Sequence, residues 1–147
     1  MRRFVFGMER LLDLRAHREE DAKIALGSAV QALAAVERSM AALAEERARA
    51  AAGQFAPDNR AEDFVYYARY LQRLDAQAER LSREAAAAEL AVEQARERFL
   101  EASRERKVLD ALKDKRKAAY KAAARKEEQK QIDEIAGSAP ARAGVRG

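Results

Sequence analysis

The feature that most constrains this chain is an apolar seven-residue repeat that runs from residue 64 to residue 102. Its members, spaced alternately by three and four residues, are Phe64, Tyr67, Leu71, Leu74, Ala78, Leu81, Ala85, Ala88, Val92, Ala95, Phe99 and Ala102. No Gly or Pro interrupts the run. A seam of about two positions in seven is what one helix presents to another in a coiled coil, and it is too narrow for the core face of a globular domain. The sequence therefore predicts a long helix that needs a helical partner.

Composition favours a coiled coil over the alternatives. Of the 147 residues, 37% are charged and 6% are aromatic, which is typical of long helices rather than of compact cores. The sustained repeat argues against disorder, and the absence of Cys excludes disulfides and thiolate sites. No apolar run approaches the roughly 20 residues of a membrane span, and the N-terminus lacks the apolar core of a secretory signal. We therefore expect a soluble, cytoplasmic protein.

The partner helix is predicted upstream, in the same chain. The same spacing begins at Met8 and recurs to Leu43, and Gly53 is expected to end this helix in a left-handed cap. Asn59 and Glu62 fit a capping box that starts the second helix. So short a connection makes the helices antiparallel. The prediction is an all-α, long antiparallel two-helix coiled-coil hairpin whose second helix is the longer.

The predicted boundaries follow from the same pattern. Residues 1–136 form a single hairpin domain with helices at 8–52 and 60–135, a turn at 53–59 and a flexible tail at 137–147. Matching the two seams sets Leu33 by Leu81, Leu26 by Ala88 and Arg15 over Phe99. In that register the first helix ends opposite residues 105–110, which leaves about 25 residues of the second helix unpaired.

Both ends of the predicted hairpin carry unusual side chains. Phe4 and Phe6 either cap its open end or act as a weak membrane-surface anchor, and capping is the simpler interpretation. Tyr66 and Tyr70 lie one turn apart outside the seam. They either anchor a protein interface or pack on the turn, and the sequence alone leaves both open.

The second helix becomes basic where the first is expected to have ended. Residues 104–130 contain eleven Lys or Arg and five Asp or Glu. Nucleic acid is a poor match, because the aromatic cluster is expected at the other end of the hairpin, where it cannot interleave with these cations, and five acids would repel phosphates. We expect instead a protein partner with an acidic surface. The candidate contacts are Arg116, Lys117, Lys121 and Arg125.

Catalysis is not expected from this chain. It has one His, no Cys and no glycine-rich turn between a strand and a helix, and a two-helix hairpin offers no concave pocket. His17 has Asp13 and Asp21 four residues to either side, but such groupings are common on solvated helix faces. We therefore predict no enzyme activity, no cofactor and no metal.

Several stretches together resemble the FliJ family, the coiled-coil stalk proteins of the bacterial flagellar type III export apparatus. The resemblance covers about residues 4–136. Its motifs are Phe4-Val5-Phe6 with Leu11-Leu12-Asp13-Leu14-Arg15, Glu20-Asp21-Ala22-Lys23, Tyr67-Ala68-Arg69-Tyr70-Leu71-Gln72-Arg73-Leu74 and Glu128-Gln129-Lys130-Gln131-Ile132-Asp133-Glu134.

The resemblance implies a role in flagellum biogenesis, and thereby in motility and chemotaxis, rather than a reaction. Family members insert the end that bears both termini into a hexameric export ATPase, bridge toward the membrane export gate and handle export chaperones. The implied location is cytoplasmic, peripheral to the inner face of the cell membrane at the flagellar base. Some members carry aromatics where this chain has alanine at 48 and 50–52, which gives Tyr66 and Tyr70 more weight as gate contacts. The alternative is a structural coiled-coil scaffold that self-associates.

Overall fold

The computed structural model describes residues 2–144, with side chains for residues 2–138. Two helices account for most of them: α1, Glu9–Gln54, and α2, Ala61–Gly144. No strand occurs in this part of the chain. The predicted all-α antiparallel hairpin with a longer second helix is confirmed. None of the described helices contains a stretch apolar enough to cross a bilayer.

The connection between the helices is closed by Asn59. Its side-chain amide donates hydrogen bonds to the carbonyls of Gly53, at 2.6 Å, and Gln54, at 3.0 Å, which satisfies acceptors at the end of α1. The backbone N–H of Arg60 donates to a carboxylate oxygen of Asp63 at 3.0 Å. The predicted capping box is therefore replaced by two other caps, because Asn59 faces back toward α1 and Asp63 takes the role expected of Glu62.

Gly53 does not have the expected left-handed conformation. It lies inside α1, and no described residue has a positive φ. A Cβ placed on Gly53 would lie 3.0 Å from the ring of Tyr67. The glycine is needed for close approach of a ring to the helix, and not to end the helix.

Contacts divide the chain into two compact units, each built from parts of both helices. In the unit of residues 18–102, Leu43, Ala50 and Leu74 form a buried cluster that Tyr67, Leu71 and Leu81 pack against. The predicted seam is confirmed here with one exception. Phe64 is 47% exposed, and its ring meets Phe55 edge-on at 6.3 Å. The other predicted seam residues in this unit are buried or half-buried.

The second unit combines residues 2–17 with residues 103–144. Its apolar centre holds Phe6, which is 5% exposed, and Leu12. Phe6 lies in a non-helical segment, residues 2–6, whose Phe4 ring is 5.6 Å from that of Tyr120. The predicted packing of these rings on the open end of the hairpin is confirmed.

Ion pairs in this second unit show that the helices overlap further than expected. The Arg15 guanidinium, which was expected to lie in water, pairs with Glu105, and Lys113 pairs with Glu9 at 2.9 Å. The expected packing of the Arg15 stem on Phe99 stays a prediction. Helix α1 therefore contacts α2 further along than residues 105–110. The pairings expected within residues 18–102, such as Leu33 with Leu81, stay predictions.

Helix α2 also continues past its expected end. The sequence placed a loose tail at residues 137–147, whereas α2 includes Gly137 and runs to Gly144. A single glycine costs only about 1 kcal/mol in a helix, and no positive φ at Gly137 ends this one. Residues 145–147 of the predicted tail lie outside the described residues.

Candidate partner-binding surfaces

The first candidate surface is a stack of side chains on α2, which we call the tyrosine stack: Tyr66, Tyr70 and Arg73. The Tyr66 and Tyr70 rings are parallel, with a 6° interplanar angle and centroids 6.4 Å apart. The Arg73 guanidinium lies 5.7 Å from the Tyr70 centroid, within cation–π range. Tyr66 is 61% exposed, so the outer face of the stack is open to a partner.

Tyr70 is held in place by α1. Its hydroxyl donates a hydrogen bond to the Glu46 carboxylate. This bond, helped by partial burial and by the charge of Glu46, raises the pKa of Tyr70 above its usual value. Tyr70 therefore stays a neutral donor that joins the two helices, and its ring has little freedom to move.

A second polar link lies beside the stack. Arg47 on α1 and Asp75 on α2 form a two-point ion pair, with Nε to Oδ1 at 2.6 Å and Nη2 to Oδ2 at 3.5 Å. The hydrogen bond from Arg47 is the main cause that lowers the pKa of Asp75, and the same bond raises the pKa of Arg47. The α1–α2 pairing is thus fixed on the polar edge as well as in the core.

Tyr70 packs against the buried cluster of Leu43, Ala50 and Leu74, and other rings pack nearer the turn. Phe64 meets Phe55, while Tyr67 lies over Gly53 and meets Tyr66 edge-on at 5.7 Å. Neither Tyr66 nor Tyr70 has a ring contact with Phe55 among the described side chains. Both interpretations of these two tyrosines stay predictions, and the packing of Tyr70 on the buried cluster supports the packing interpretation for that residue.

The second candidate surface is the basic set Arg116, Lys117, Lys121 and Arg125, all exposed on α2. Lys117, Lys121 and Arg125 have no ion pair within 4.0 Å among the described side chains. Arg116 differs, because its guanidinium lies 5.7 Å from the centroid of Phe6. The N-terminal segment therefore reaches a stretch of α2 that the sequence left uncovered.

The sequence predicted that the Phe4 and Phe6 rings pack on the open end, but not that the segment reaches Arg116. Periodicity gives no signal for residues 2–6, because they are not helical. The available signal was compositional: two Phe beside two Arg, opposite an α2 stretch that contains Tyr120. A cleft next to the basic set is lined by Arg2, Tyr120, Glu127 and Glu128, so acids border the cations.

His17 is exposed, and among the described residues no group of three or more His, Cys, Asp or Glu lies close enough to hold a metal ion. The two surfaces present stacked aromatic rings in residues 18–102 and exposed cations in residues 103–144.

Comparison with protein families agrees with this picture. The model of the flagellar FliJ protein family matches residues 5–144, which is nearly the whole chain. No curated protein and no solved structure matches it. The chain belongs to the flagellar FliJ protein family, a family of flagellar export-related structural proteins.

Proposed function

We propose that the chain is a non-enzymatic central-stalk component of the bacterial flagellar type III export apparatus, bridging a hexameric export ATPase and the membrane export gate. The observation that carries this proposal is the family match over residues 5–144. Two surfaces of different chemistry support a bridging role, since each suits a different partner. Handling of export chaperones belongs to the same proposal.

The tyrosine stack is proposed to bind the gate component. Tyr is a frequent energetic anchor at protein interfaces, because it buries a large rigid area and carries a polar tip. The hydrogen bond from Tyr70 to Glu46 and the Arg73 contact already order the stack. A partner therefore binds without the full entropy cost of immobilising those side chains.

The basic set is proposed to contact an acidic inner surface of the ATPase ring. Exposed ion pairs contribute about 0–1 kcal/mol each, so the contact is distributed over several cations rather than concentrated in one. Such pairs are screened by salt within about 10 Å at 0.1 M ionic strength. Binding should therefore weaken steeply as salt is raised.

The proposed location follows from these partners: cytoplasmic, and peripheral to the inner face of the cell membrane through the gate. A second candidate function, a self-associating scaffold, is favoured by exposed apolar side chains on α2, among them Ile132 and Ile135, the latter 71% exposed. Sedimentation analysis separates the two, since a stalk should be a monomer at micromolar concentration and a scaffold should not.

The ATPase contact is tested by reversing all four charges of the basic set to Glu. We expect the variant to lose binding to the purified export ATPase at low salt while its thermal melting is nearly unchanged. The matched control reverses four exposed arginines elsewhere, the control set Arg38, Arg49, Arg60 and Arg98. Parental binding by the basic-set variant, or equal loss by both, would refute the assignment.

The gate contact has its own test. Alanine at Tyr66 and Tyr70 should weaken binding to the purified cytoplasmic part of the gate protein, whereas alanine at the exposed Ile24 and Val30 of α1 should not. Helicity is monitored in parallel, because Tyr70 also contacts Glu46. If Tyr66→Ala alone leaves gate binding intact, the stack is not the gate site.

A further inference from the structure

A second periodic pattern lies on the outward face of α2. Arg69, Arg73, Arg80 and Arg83, which we call the arginine stripe, follow the same three-and-four spacing as the buried seam. All four are exposed, as is Ala76 between them. The helix thus has one seam of apolar residues against α1 and another of arginines toward solvent.

The stripe is not explained by the fold. Arg69, Arg80 and Arg83 have no ion pair within 4.0 Å among the described side chains, and Arg73 contacts only the Tyr70 ring. Like charges three or four residues apart destabilise a helix, whereas alternating signs would stabilise it. Glu84 and Glu79 lie four residues from Arg80 and Arg83 without pairing with them in the part of the chain that the structure describes, and Arg69 and Arg73 have no acid at helical spacing, so the fold itself does not use the charges of the stripe.

We propose that the arginine stripe docks an acidic amphipathic helix of a partner protein, which lies alongside α2 as a third helix. Arg73 and Arg80 are one heptad apart, about 10.5 Å along the axis, which is also the repeat of a partner helix with acids at heptad spacing. Ala76 lets the partner approach between them. A cleft at the N-terminal end of the stripe is lined by Tyr66, Arg69, Gln72, Arg73 and Ala76.

Other anionic partners fit this face less well. A membrane-surface helix needs an apolar face to insert, but the apolar face of α2 holds Leu74, which is buried against α1. Nucleic acid is disfavoured because Glu79 and Glu84 flank the stripe and would repel phosphates. An acidic helix can avoid both acids by presenting its own carboxylates only along the line of arginines. Arg73 belongs both to the arginine stripe and to the tyrosine stack proposed for the gate, but neither the gate nor the export ATPase enters the test of this proposal.

The test uses the full chain and two fluorescent 28-residue helical peptides of identical composition. One has Glu at two heptad positions on a single face, and the other has the same residues scattered around the helix. We expect the ordered peptide to bind more tightly. Replacing the arginine stripe with Gln should weaken that binding about tenfold or more, from four exposed pairs. The same change at the control set should alter it less than about twofold.

Position and specificity are measured alongside. A photo-reactive phenylalanine at Ala76 should cross-link the ordered peptide, and one at the exposed Ala42 of α1 should not. Equal binding of the two peptides, or equal loss in the control variant, would reduce the effect to net charge and overturn the proposal. A lower melting temperature after replacement of the stripe would also overturn the proposal. So would an affinity for phosphatidylserine vesicles or single-stranded RNA that depends on the stripe, if the affinity for the peptide does not. Stripe-dependent dimerisation would also overturn it.

Discussion

The contact between Gly53 and Tyr67 determines whether replacing Gly53 with Ala stabilises or destabilises the hairpin. Replacing Gly with Ala inside a helix stabilises it by about 1 kcal/mol through backbone propensity. At Gly53 the new Cβ would lie 3.0 Å from the Tyr67 Cζ and hydroxyl oxygen and 3.1 Å from Cε1, closer than ordinary contact. Overpacking of this kind costs about 1–3 kcal/mol. We expect Gly53→Ala to destabilise the hairpin by about 1 kcal/mol, because the ring is also held by Tyr66.

Gly27 provides the matched control, since a Cβ there meets no atom within 4 Å. Gly27→Ala should therefore stabilise by about 1 kcal/mol. Urea unfolding followed by helical circular dichroism measures both variants. In a Tyr67→Ala background the penalty at Gly53 should vanish, and Gly53→Ala should become neutral or stabilising. If Gly53→Ala stabilises the parent protein as Gly27→Ala does, the Tyr67 ring is not seated on α1 and the reasoning fails.

Three further predictions concern single contacts. Phe6→Ala should lower the free energy of unfolding of the unit that contains Phe6 by about 2 kcal/mol, because the apolar burial of the ring is lost. Amide hydrogen exchange should become faster in the first turns of α1 and stay unchanged around Leu43. The pKa of Asp75 is lowered in the folded state, so its ion pair with Arg47 stabilises the fold at pH values above the pKa of the unfolded carboxyl, about 3.9. That stabilisation is lost as the pH falls through the lower pKa of the folded state. Thermal melts of Asp75→Asn across the acid range should lack this loss. The pKa of Tyr70 is raised, so ultraviolet titration should show one tyrosine ionising above the ordinary range, and Glu46→Gln should bring it down.

The seam was readable from sequence because burial in a two-helix hairpin requires only that apolar residues recur on one face. Leu43, Leu74 and Val92 are buried where the repeat predicted it. Phe64 was the exception because it lies in the first turn of α2, where Phe55 of the connection offers a nearer ring.

The register was less accessible, and the reason is physical. Sliding one heptad against another changes the apolar match little when many seam positions are alanine, as at Ala85 and Ala95. The sequence also gives no rule for which acid Arg15 pairs with. The same holds for the exposed link of Arg47 with Asp75. Each forms only after α1 and α2 have met.

The segment that covers Arg116 bears on how a partner could use the basic set. The Arg116–Phe6 contact, at an exposed guanidinium, contributes only about 0.5–1 kcal/mol. Burial of the Phe6 ring itself contributes about 1.5–3 kcal/mol. An acidic partner can therefore draw Arg116 away from the ring far more easily than it can unseat Phe6. The N-terminal segment should stay in place when the basic set is occupied, and Lys117, Lys121 and Arg125, which have no such competing contact, should be engaged before Arg116.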